Sequence, residues 1–223
     1  LGPPLTFHVF YGERPSRRSR RMGALRAAPH RVFLHHVENR FRDIALFDHV
    51  TPAALLRLDL GELLPDLDRV LYLDADILAL ADIRPLLATD LGGAAAGAVQ
   101  DFGLHAALAE EAITGQPDFI LHVRDALGWD TGNFTYVNSG VLLLDLAALR
   151  REGFGEQAGR LVMENPHRFR WRDQDALNLL LRGRIALLDP RWNSMVWFLQ
   201  REPRRHFADR TATALQPRDP WLL

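Results

Sequence analysis

The sequence contains no cysteine and no lysine, and all 27 of its basic residues are arginine. Without cysteine, the chain has neither a disulfide scaffold nor thiolate chemistry. Without lysine, it cannot form a Schiff base, place a P-loop lysine on a phosphate, or use any other amine of adjustable pKa. These absences exclude several classes of enzyme before any motif is considered.

Long apolar runs and a strong net charge are also absent. No stretch approaches the roughly 20 apolar residues that span a bilayer, and no signal-peptide pattern opens the sequence. The formal net charge is −1, which gives no field that would favour nucleic acid. We therefore expect a cytoplasmic protein, with no nucleic-acid partner and at most peripheral contact with the inner face of the membrane. The sequence does not indicate an oligomeric state.

The residues that are present suit one globular domain, since 223 residues with 48% apolar character can bury a sizeable core. Apolar runs of strand length alternate with helical patterns, which indicates a layered α/β fold. The predicted strands are 5–10, 31–35, 69–73, 94–99, 141–144 and 185–188. The predicted helices are 14–26, 83–88, 106–113, 146–151, 156–165 and 173–182, together with one that begins at Thr51-Pro52.

Asp-x-Asp pairs occur three times, although chance alone should give about one or two. They are Asp66/Asp68, Asp74/Asp76 and Asp173/Asp175. The second pair closes an apolar strand, and ligand sites in open α/β sheets gather at the carboxyl ends of strands. Two carboxylates there repel each other and lose solvation, a cost usually offset by a cation or by hydrogen bonds. A metal site and a hydrogen-bonded turn both remain open at this point.

Hard oxygen ligands at this spacing suit Mg²⁺ or Mn²⁺ on phosphate oxygens, and two mechanisms use such a site. One is phosphoryl transfer of the haloacid-dehalogenase kind, which expects a downstream lysine that this chain lacks. The other uses the metal as an electrophile on a diphosphate leaving group.

Two later segments bring further polar residues to the ends of secondary-structure elements. Residues 136–144, YVNSGVLLL, place an amide, a hydroxyl and a glycine before an apolar strand. Residues 171–178, WRDQDALN, place a polar cluster at a helix N-terminus. A helix cap would explain Asp173 alone, but it would not explain the whole cluster.

Together these segments resemble the family-8 glycosyltransferases, which include glycogenin and bacterial lipopolysaccharide galactosyl- and glucosyltransferases. The matching stretches, in the family's order, are LLRLDLGELLPDLDRVLYLD, RVLYLDADILALADIRPLL, YVNSGVLLLDLAALR and DQDALNLLLRGRIALLDPRWN. The resemblance implies a GT-A-type nucleotide-diphospho-sugar transferase fold, with a central, mostly parallel sheet flanked by helices. It also implies metal-dependent, retaining transfer of a hexose, galactose or glucose, from a UDP-sugar to a carbohydrate or glycolipid acceptor, as in bacterial lipopolysaccharide biosynthesis.

The resemblance assigns roles to eight residues. The residues implied to hold Mn²⁺ (or Mg²⁺) against the diphosphate are Asp74 and Asp76. The implied substrate-binding residues are Arg57, Asp101, Asn138 and, with a lesser role, Ser139. The implied catalytic residues are Asp173 and Gln174. We hypothesise front-face transfer, with Gln174 near the anomeric carbon.

The sequence departs from the family at both ends, although it reads as a single domain over residues 1–223. The strand at 5–10 resembles the family's second strand, so the first is expected to be missing. His206-Phe207 is not followed by the glycine and lysine of the family's histidine motif, so we expect the third metal ligand beyond residue 223. The alternatives are a non-catalytic relative that binds sugar nucleotides or carbohydrates and, disfavoured by the absence of lysine, a metal-dependent phosphoryl-transfer enzyme.

Overall fold

The computed structural model describes residues 2–12, 29–44, 52–115, 118–130, 134–165 and 167–194. The predicted helix 14–26, the helix start at Thr51 and the His206-Phe207 pair lie outside these residues. The chain divides into two compact units, residues 1–56 and 57–223. The single domain expected over residues 1–223 stays a prediction.

The first unit contains two parallel strands, β1 (Thr6–Tyr11) and β2 (Arg31–His36), which pair in register from Thr6 with Arg31 to Tyr11 with His36. Both strands were predicted to within one residue at each end. The pair carries a ladder of aromatic contacts, since the ring of His8 stacks on those of Phe33 and His35.

The second unit is built on a four-stranded sheet. Its strands are β3 (Arg69–Leu73), β4 (Ala96–Gln100), β5 (Val137–Asp145) and β6 (Ile185–Leu187). Their spatial order is β3-β5-β4-β6, so β5 lies between the two strands that precede it in the chain. A register shift between Ala98 and Gln100 interrupts the pairing of β4 with β5.

The prediction of a mostly parallel sheet is wrong for this unit. Strand β5 runs antiparallel to both β3 and β4, and only β4 and β6 pair in parallel. The family resemblance implied the parallel sheet, and the apolar run of β5 did not contradict it, because that strand is nearly all buried and burial on both faces is the usual mark of a parallel strand. Burial determines the apolar character of a strand and not its direction. The start of β5 therefore lies beside the carboxyl ends of β3 and β4.

The described residues contain seven α-helices and three other helical segments. The α-helices are α1 (Leu60–Leu63), α2 (Arg84–Leu87), α3 (Phe102–Thr114), α4 (Asp118–Leu121), α5 (Leu146–Arg151), α6 (Phe154–Glu164) and α7 (Arg172–Leu180). The others are 3₁₀ helices at Pro52–Asp59 and Pro190–Trp192 and a π-helix at His122–Ala126. The predicted helices at 83–88, 106–113, 146–151, 156–165 and 173–182 all coincide with helices of the structure.

Capping residues explain where two of these helices begin. Asp101 accepts a hydrogen bond from the Leu104 backbone N–H at 3.0 Å and starts α3, and Asp145 does the same for Ala148 at 2.7 Å and starts α5. Such a cap contributes about 1 kcal/mol because it satisfies an N–H that has no partner within the helix.

The core of the second unit consists of more than one apolar cluster. One contains Leu86, Val99, Val141 and Leu188, and another contains Leu104, Leu108, Val123, Leu127, Trp129, Tyr136 and Phe169. Each fully buried large side chain contributes about 1.5–3 kcal/mol relative to leaving it exposed. Among the described residues, no helix is long and apolar enough to cross a bilayer.

Candidate active site

The candidate site lies where β3 ends and β5 begins. The Asp74 backbone N–H donates to the Gly140 carbonyl at 2.8 Å, directly after the last β3–β5 pair, Leu73 with Val141. Because β5 is antiparallel, its first residues lie at the same edge of the sheet as Asp74. Seven of the eight predicted site residues join one hydrogen-bonded network here, whereas Asp76 is exposed to solvent.

Arg57, near the end of the Pro52–Asp59 3₁₀ helix, links the charged part of this network. Its Nη2 donates to Asp74 Oδ1 at 2.7 Å, and its Nε lies 3.0 Å from Asp173 Oδ2. Its Nη1 donates to the carbonyl and the hydroxyl of Ser139 at 2.8 and 2.7 Å. The guanidinium also lies over the Tyr72 ring, 4.8 Å from its centroid, while the Tyr72 hydroxyl donates to Asp74 Oδ1 at 2.6 Å. Arg57 therefore connects three separate parts of the chain, which contain Asp74, Ser139 and Asp173.

Burial governs the protonation of this cluster. Burial raises the pKa of Asp173 above its ordinary value, and the Arg57 guanidinium opposes that rise. Burial also works to lower the pKa of Arg57, but Asp173, Tyr72 and Asp74 together outweigh it, so the pKa of Arg57 is raised. Burial raises the pKa of Tyr72 as well, so the phenol keeps its proton at neutral pH and donates it to Asp74.

A second part of the network consists of amide and carboxylate groups. Gln174 Nε2 donates to Asp101 Oδ2 at 2.9 Å, and Asn138 Nδ2 donates to the same oxygen at 3.3 Å. Gln174 Oε1 accepts from the Ser139 backbone N–H at 2.9 Å and from the Ser139 hydroxyl at 3.3 Å. The orientation of the Gln174 amide is thus set on both sides, because its oxygen faces donors and its nitrogen faces a carboxylate.

Ser139 connects the two parts of the network. Its hydroxyl accepts from Arg57 and donates to Gln174, so a single side chain joins the charged cluster to the amide cluster. The family resemblance implied only a lesser role for Ser139.

Three further residues belong to the site, of which the sequence indicated only Gly140, as a glycine before a strand. Tyr72 lies within an apolar strand, where the sequence indicates packing only. Asn193 donates from Nδ2 to Asn138 Oδ1 at 2.8 Å across 55 positions of the chain, a contact that no local pattern predicts. At Gly140, an added Cβ would come within 3.0 Å of Asn138 Oδ1 and 3.1 Å of Asp74 Oδ2, so this backbone position leaves no room for a side chain.

The predicted metal pair is partly engaged by the protein itself. Both of the described hydrogen bonds to the Asp74 carboxylate go to Oδ1, from Arg57 and Tyr72. Oδ2 lies on the Gly140 side, and Asp76 faces solvent. Within the residues that the structure describes, no group of three or more His, Cys, Asp or Glu side chains could hold a metal ion. Hard carboxylate oxygens suit Mn²⁺ or Mg²⁺, so Asp74 and Asp76 fit such an ion as two ligands of a larger set.

Comparison with solved structures identifies the class of protein that this fold and site define. An active-site glutamine-to-glutamate mutant of LgtC superposes with a TM-score of 0.70 and 28% identity, over 94% of this chain and 73% of that one. The galactosyltransferase LgtC in complex with donor and acceptor sugar analogues gives a TM-score of 0.67, also at 28% identity. The fold is that of the GT-A-type glycosyltransferases, as predicted. The sequence profile of glycosyl transferase family 8 matches residues 3–215, and the chain belongs to that family.

Two curated relatives are similar to this chain, and one of them carries a glycosyltransferase name. General stress protein A of Bacillus subtilis (strain 168) is 30% identical over 171 residues, which is 75% of this chain and 54% of the relative. The lipopolysaccharide 1,2-glucosyltransferase of Escherichia coli (strain K12) is 34% identical over 129 residues, which is 58% of this chain and 34% of the relative. The chain thus spans about half the length of the first relative and about a third of the second.

Proposed function

We propose that this chain transfers a hexose, galactose or glucose, from a UDP-sugar to a carbohydrate or glycolipid acceptor with retention of configuration. The observation that carries the proposal is the single network of Arg57, Asp74, Asp101, Asn138, Ser139, Asp173 and Gln174 at one edge of the sheet of a family-8 chain. The names of the relatives add support. LgtC is a galactosyltransferase solved with sugar analogues, and one relative is a lipopolysaccharide glucosyltransferase.

The amide and carboxylate groups are suited to hold the hydroxyls of the donor sugar. Asp101 and Asn138 present oxygen and nitrogen atoms that are already oriented by protein contacts, so little ordering is needed when a sugar binds. The second hydrogen of the Asn138 amide is available for a sugar oxygen, since one hydrogen serves Asp101 and the oxygen serves Gly140 and Asn193.

Gln174 and Asp173 are proposed to act on the sugar near its anomeric carbon. Gln174 Oε1 already accepts two hydrogen bonds from Ser139, so both of its lone pairs are engaged. We therefore propose that Gln174 orients the sugar in a front-face transfer and does not attack it. Asp173 carries a buried negative charge beside Arg57, which would favour the positive charge that develops on the sugar ring. The LgtC mutant at an active-site glutamine is consistent with placing a glutamine in this role.

Asp74 and Asp76 are proposed to hold Mn²⁺ or Mg²⁺. When bound, the ion would neutralise the charge that develops on the leaving diphosphate, so the leaving group would need no acid. Arg57 and Tyr72 fix the Asp74 carboxylate by one oxygen and leave the other on the Gly140 side. The backbone at Gly140 keeps that side free of a side chain.

The test is a panel of UDP-sugars with Mn²⁺, in which UDP release is measured with and without saccharide acceptors. We expect the wild-type chain to release UDP from a UDP-hexose and Asp74→Asn to lose the metal-dependent rate by at least about 100-fold. Asp66→Asn is the matched control, because Asp66 belongs to another Asp-x-Asp pair in an exposed turn. A wild-type chain that binds UDP and Mn²⁺ without turnover would favour a non-catalytic relative, and an unchanged rate in Asp74→Asn would remove Asp74 from the metal site.

A further inference from the structure

Asp175 is a fully buried carboxylate that the proposed mechanism does not use. It lies in the first turns of α7, directly after Asp173 and Gln174, and its side chain has no exposed surface. Its Oδ2 accepts from the backbone N–H of Trp171, the residue before α7, at 2.8 Å. Its Oδ1 accepts from the Tyr136 hydroxyl at 2.5 Å and contacts His122 Nε2 at 3.2 Å. Because this carboxylate is enclosed by protein groups, we expect its effect on the reaction to pass through its partners.

Tyr136 connects this carboxylate to the other side of the site. It is fully buried and immediately precedes β5, whose second and third residues are Asn138 and Ser139. Its carbonyl accepts from the Asp101 backbone N–H at 2.8 Å. Burial, with Asp175 adding to the effect, raises the pKa of Tyr136 well above its ordinary value, so the hydroxyl remains a donor at neutral pH.

Besides the contacts of Gln174 with Ser139, two buried polar links are described between α7 and the start of β5, and the hydrogen bond between Tyr136 and Asp175 is one of them. The other is Asn178, whose amide oxygen accepts from the Val137 N–H and whose nitrogen donates to the Val137 carbonyl, both at 2.8 Å. Asn178 lies one turn further along α7. The Tyr136–Asp175 bond is therefore the link next to Gln174, at the end of the helix that reaches the site.

We infer that Tyr136 and Asp175 are positioning residues, whose hydrogen bond holds the first turn of α7 against β5 so that the Gln174 amide stays between Ser139 and Asp101. The Gln174 amide accepts from the Ser139 backbone N–H and donates to Asp101 Oδ2, both at 2.9 Å. A small shift of the amide would weaken both bonds, because hydrogen bonds weaken steeply with distance and misalignment. A displacement of about 1 Å at a reacting group can cost about 100-fold in rate. The catalytic part of this inference rests on the proposed function.

The kinetic test is Tyr136→Phe, which removes one hydroxyl and keeps the ring that packs near Trp129 and Trp171. We expect kcat for UDP release to fall about 10- to 100-fold, with the KM for the UDP-sugar within about twofold of wild type. Leu149→Val in α5 is the control, since it alters a buried side chain of another helix and should lower the melting temperature with kcat unchanged. An unchanged kcat in Tyr136→Phe, or an equal fall in both variants, would overturn the inference.

A double-mutant cycle separates positioning from direct contact. If Asp175 acts through Tyr136, the losses in kcat from Tyr136→Phe and Asp175→Ala should combine to less than their product in the double variant, because both remove the same bond. Losses that multiply fully would mean that Asp175 acts by another route and would overturn the inference.

The third measurement does not depend on turnover. The side-chain NH₂ signals of Gln174, assigned with Gln174→Glu, should shift in a ¹⁵N-edited NMR spectrum of Tyr136→Phe and stay in place in Leu149→Val. Unmoved Gln174 signals in Tyr136→Phe would overturn the positioning role even in an active enzyme. A wild-type chain without UDP-sugar turnover would instead count against the proposed function, while the NMR comparison would still decide the role of Tyr136.

Discussion

At the scale of single residues, Arg57 determines how the site can carry several carboxylates. It neutralises two of them directly, Asp74 and Asp173, and also donates from Nη1 to Ser139. A guanidinium can do this because its donors form a rigid planar fork, whereas the ammonium of a lysine is a single point charge. Removing one partner of a buried ion pair typically costs about 3–5 kcal/mol, since it leaves the other charge buried without compensation. Arg57 thus contributes to folding before it has any part in binding.

Because the pKa of Asp173 is raised in the folded protein, the free energy of unfolding should depend on pH. Because the folded protein binds this proton more tightly than the unfolded chain, the contribution of Asp173 to the free energy of unfolding is greatest below its ordinary pKa of 3.8. The contribution falls as pH rises through the folded pKa, because the charge must then be buried. Asparagine does not titrate, so Asp173→Asn should lack this pH-dependent loss of stability. The free energy of unfolding of the wild type should therefore fall relative to that of the variant as pH rises above about 4.

Urea unfolding of both proteins across this pH range measures the difference directly. Asp66→Asn serves as the control, because it removes an exposed carboxylate and should leave the pH dependence of wild type nearly intact. A difference between Asp173→Asn and wild type that is constant across the pH range would contradict the prediction.

At the scale of elements, α3 begins at a residue that serves both the helix and the site. Asp101 Oδ1 caps the helix through Leu104, while Oδ2 accepts from Gln174 and Asn138. One carboxylate thus ties the end of β4, the start of β5 and the first turn of α7 together. Oδ1 of Asp101 therefore serves the helix and Oδ2 serves the site, so substitutions of Asp101 can separate the two roles.

Asp101→Ser and Asp101→Ala should separate the two roles. Serine keeps a capping oxygen and alanine does not, so we expect the alanine variant to be less stable than the serine variant by about 1 kcal/mol in urea unfolding. Both variants lose Oδ2, so both should lose UDP-sugar turnover by a similar factor.

Asp145→Ser is the matched control, since Asp145 caps α5 through Ala148 away from the network. It should change stability by only a few tenths of a kcal/mol and leave turnover unchanged. An Asp101→Ser variant with the turnover of wild type would show that Oδ2 is not needed.

At the scale of the whole molecule, every residue of the network belongs to the unit of residues 57–223. The network draws on a 3₁₀ helix, the ends of β3 and β4, the start of β5 and the start of α7. These segments are brought together by β5, which lies between β3 and β4 and runs against both. The site therefore forms only when the strands are arranged in this order, because no single segment of the chain contains all of its residues.

This order also explains which parts could be predicted from the sequence. Strand β3 and the pair after it have a strong local pattern, so the bounds of β3 and the place of Asp74 were correct. The direction of β5 has no local pattern, because a strand that is buried along its length is apolar whichever way it runs. The contact of Asn193 with Asn138 depends on that packing, and Arg57 was found only through the family resemblance.

Ligands that bind this site should stabilise the whole chain against unfolding. A ligand that binds only the folded state stabilises it by RT ln(1 + [L]/Kd), or about 2.7 kcal/mol at 100 times Kd. The Arg57–Asp74 pair leaves the carboxylates only partly compensated, so UDP alone meets negative charge, and a divalent ion between them removes the repulsion. We therefore expect UDP and Mn²⁺ together to raise the melting temperature by several degrees, more than the sum of their separate effects.

Ca²⁺ serves as a control for ion charge, since it prefers more ligands at longer distances than Mn²⁺ or Mg²⁺. In Asp74→Asn the joint effect should vanish while the melting temperature without ligand stays measurable. A full shift with UDP in the presence of a chelator would show that nucleotide binding does not depend on the metal, and Asp74 would then serve only as a partner of Arg57 and Tyr72.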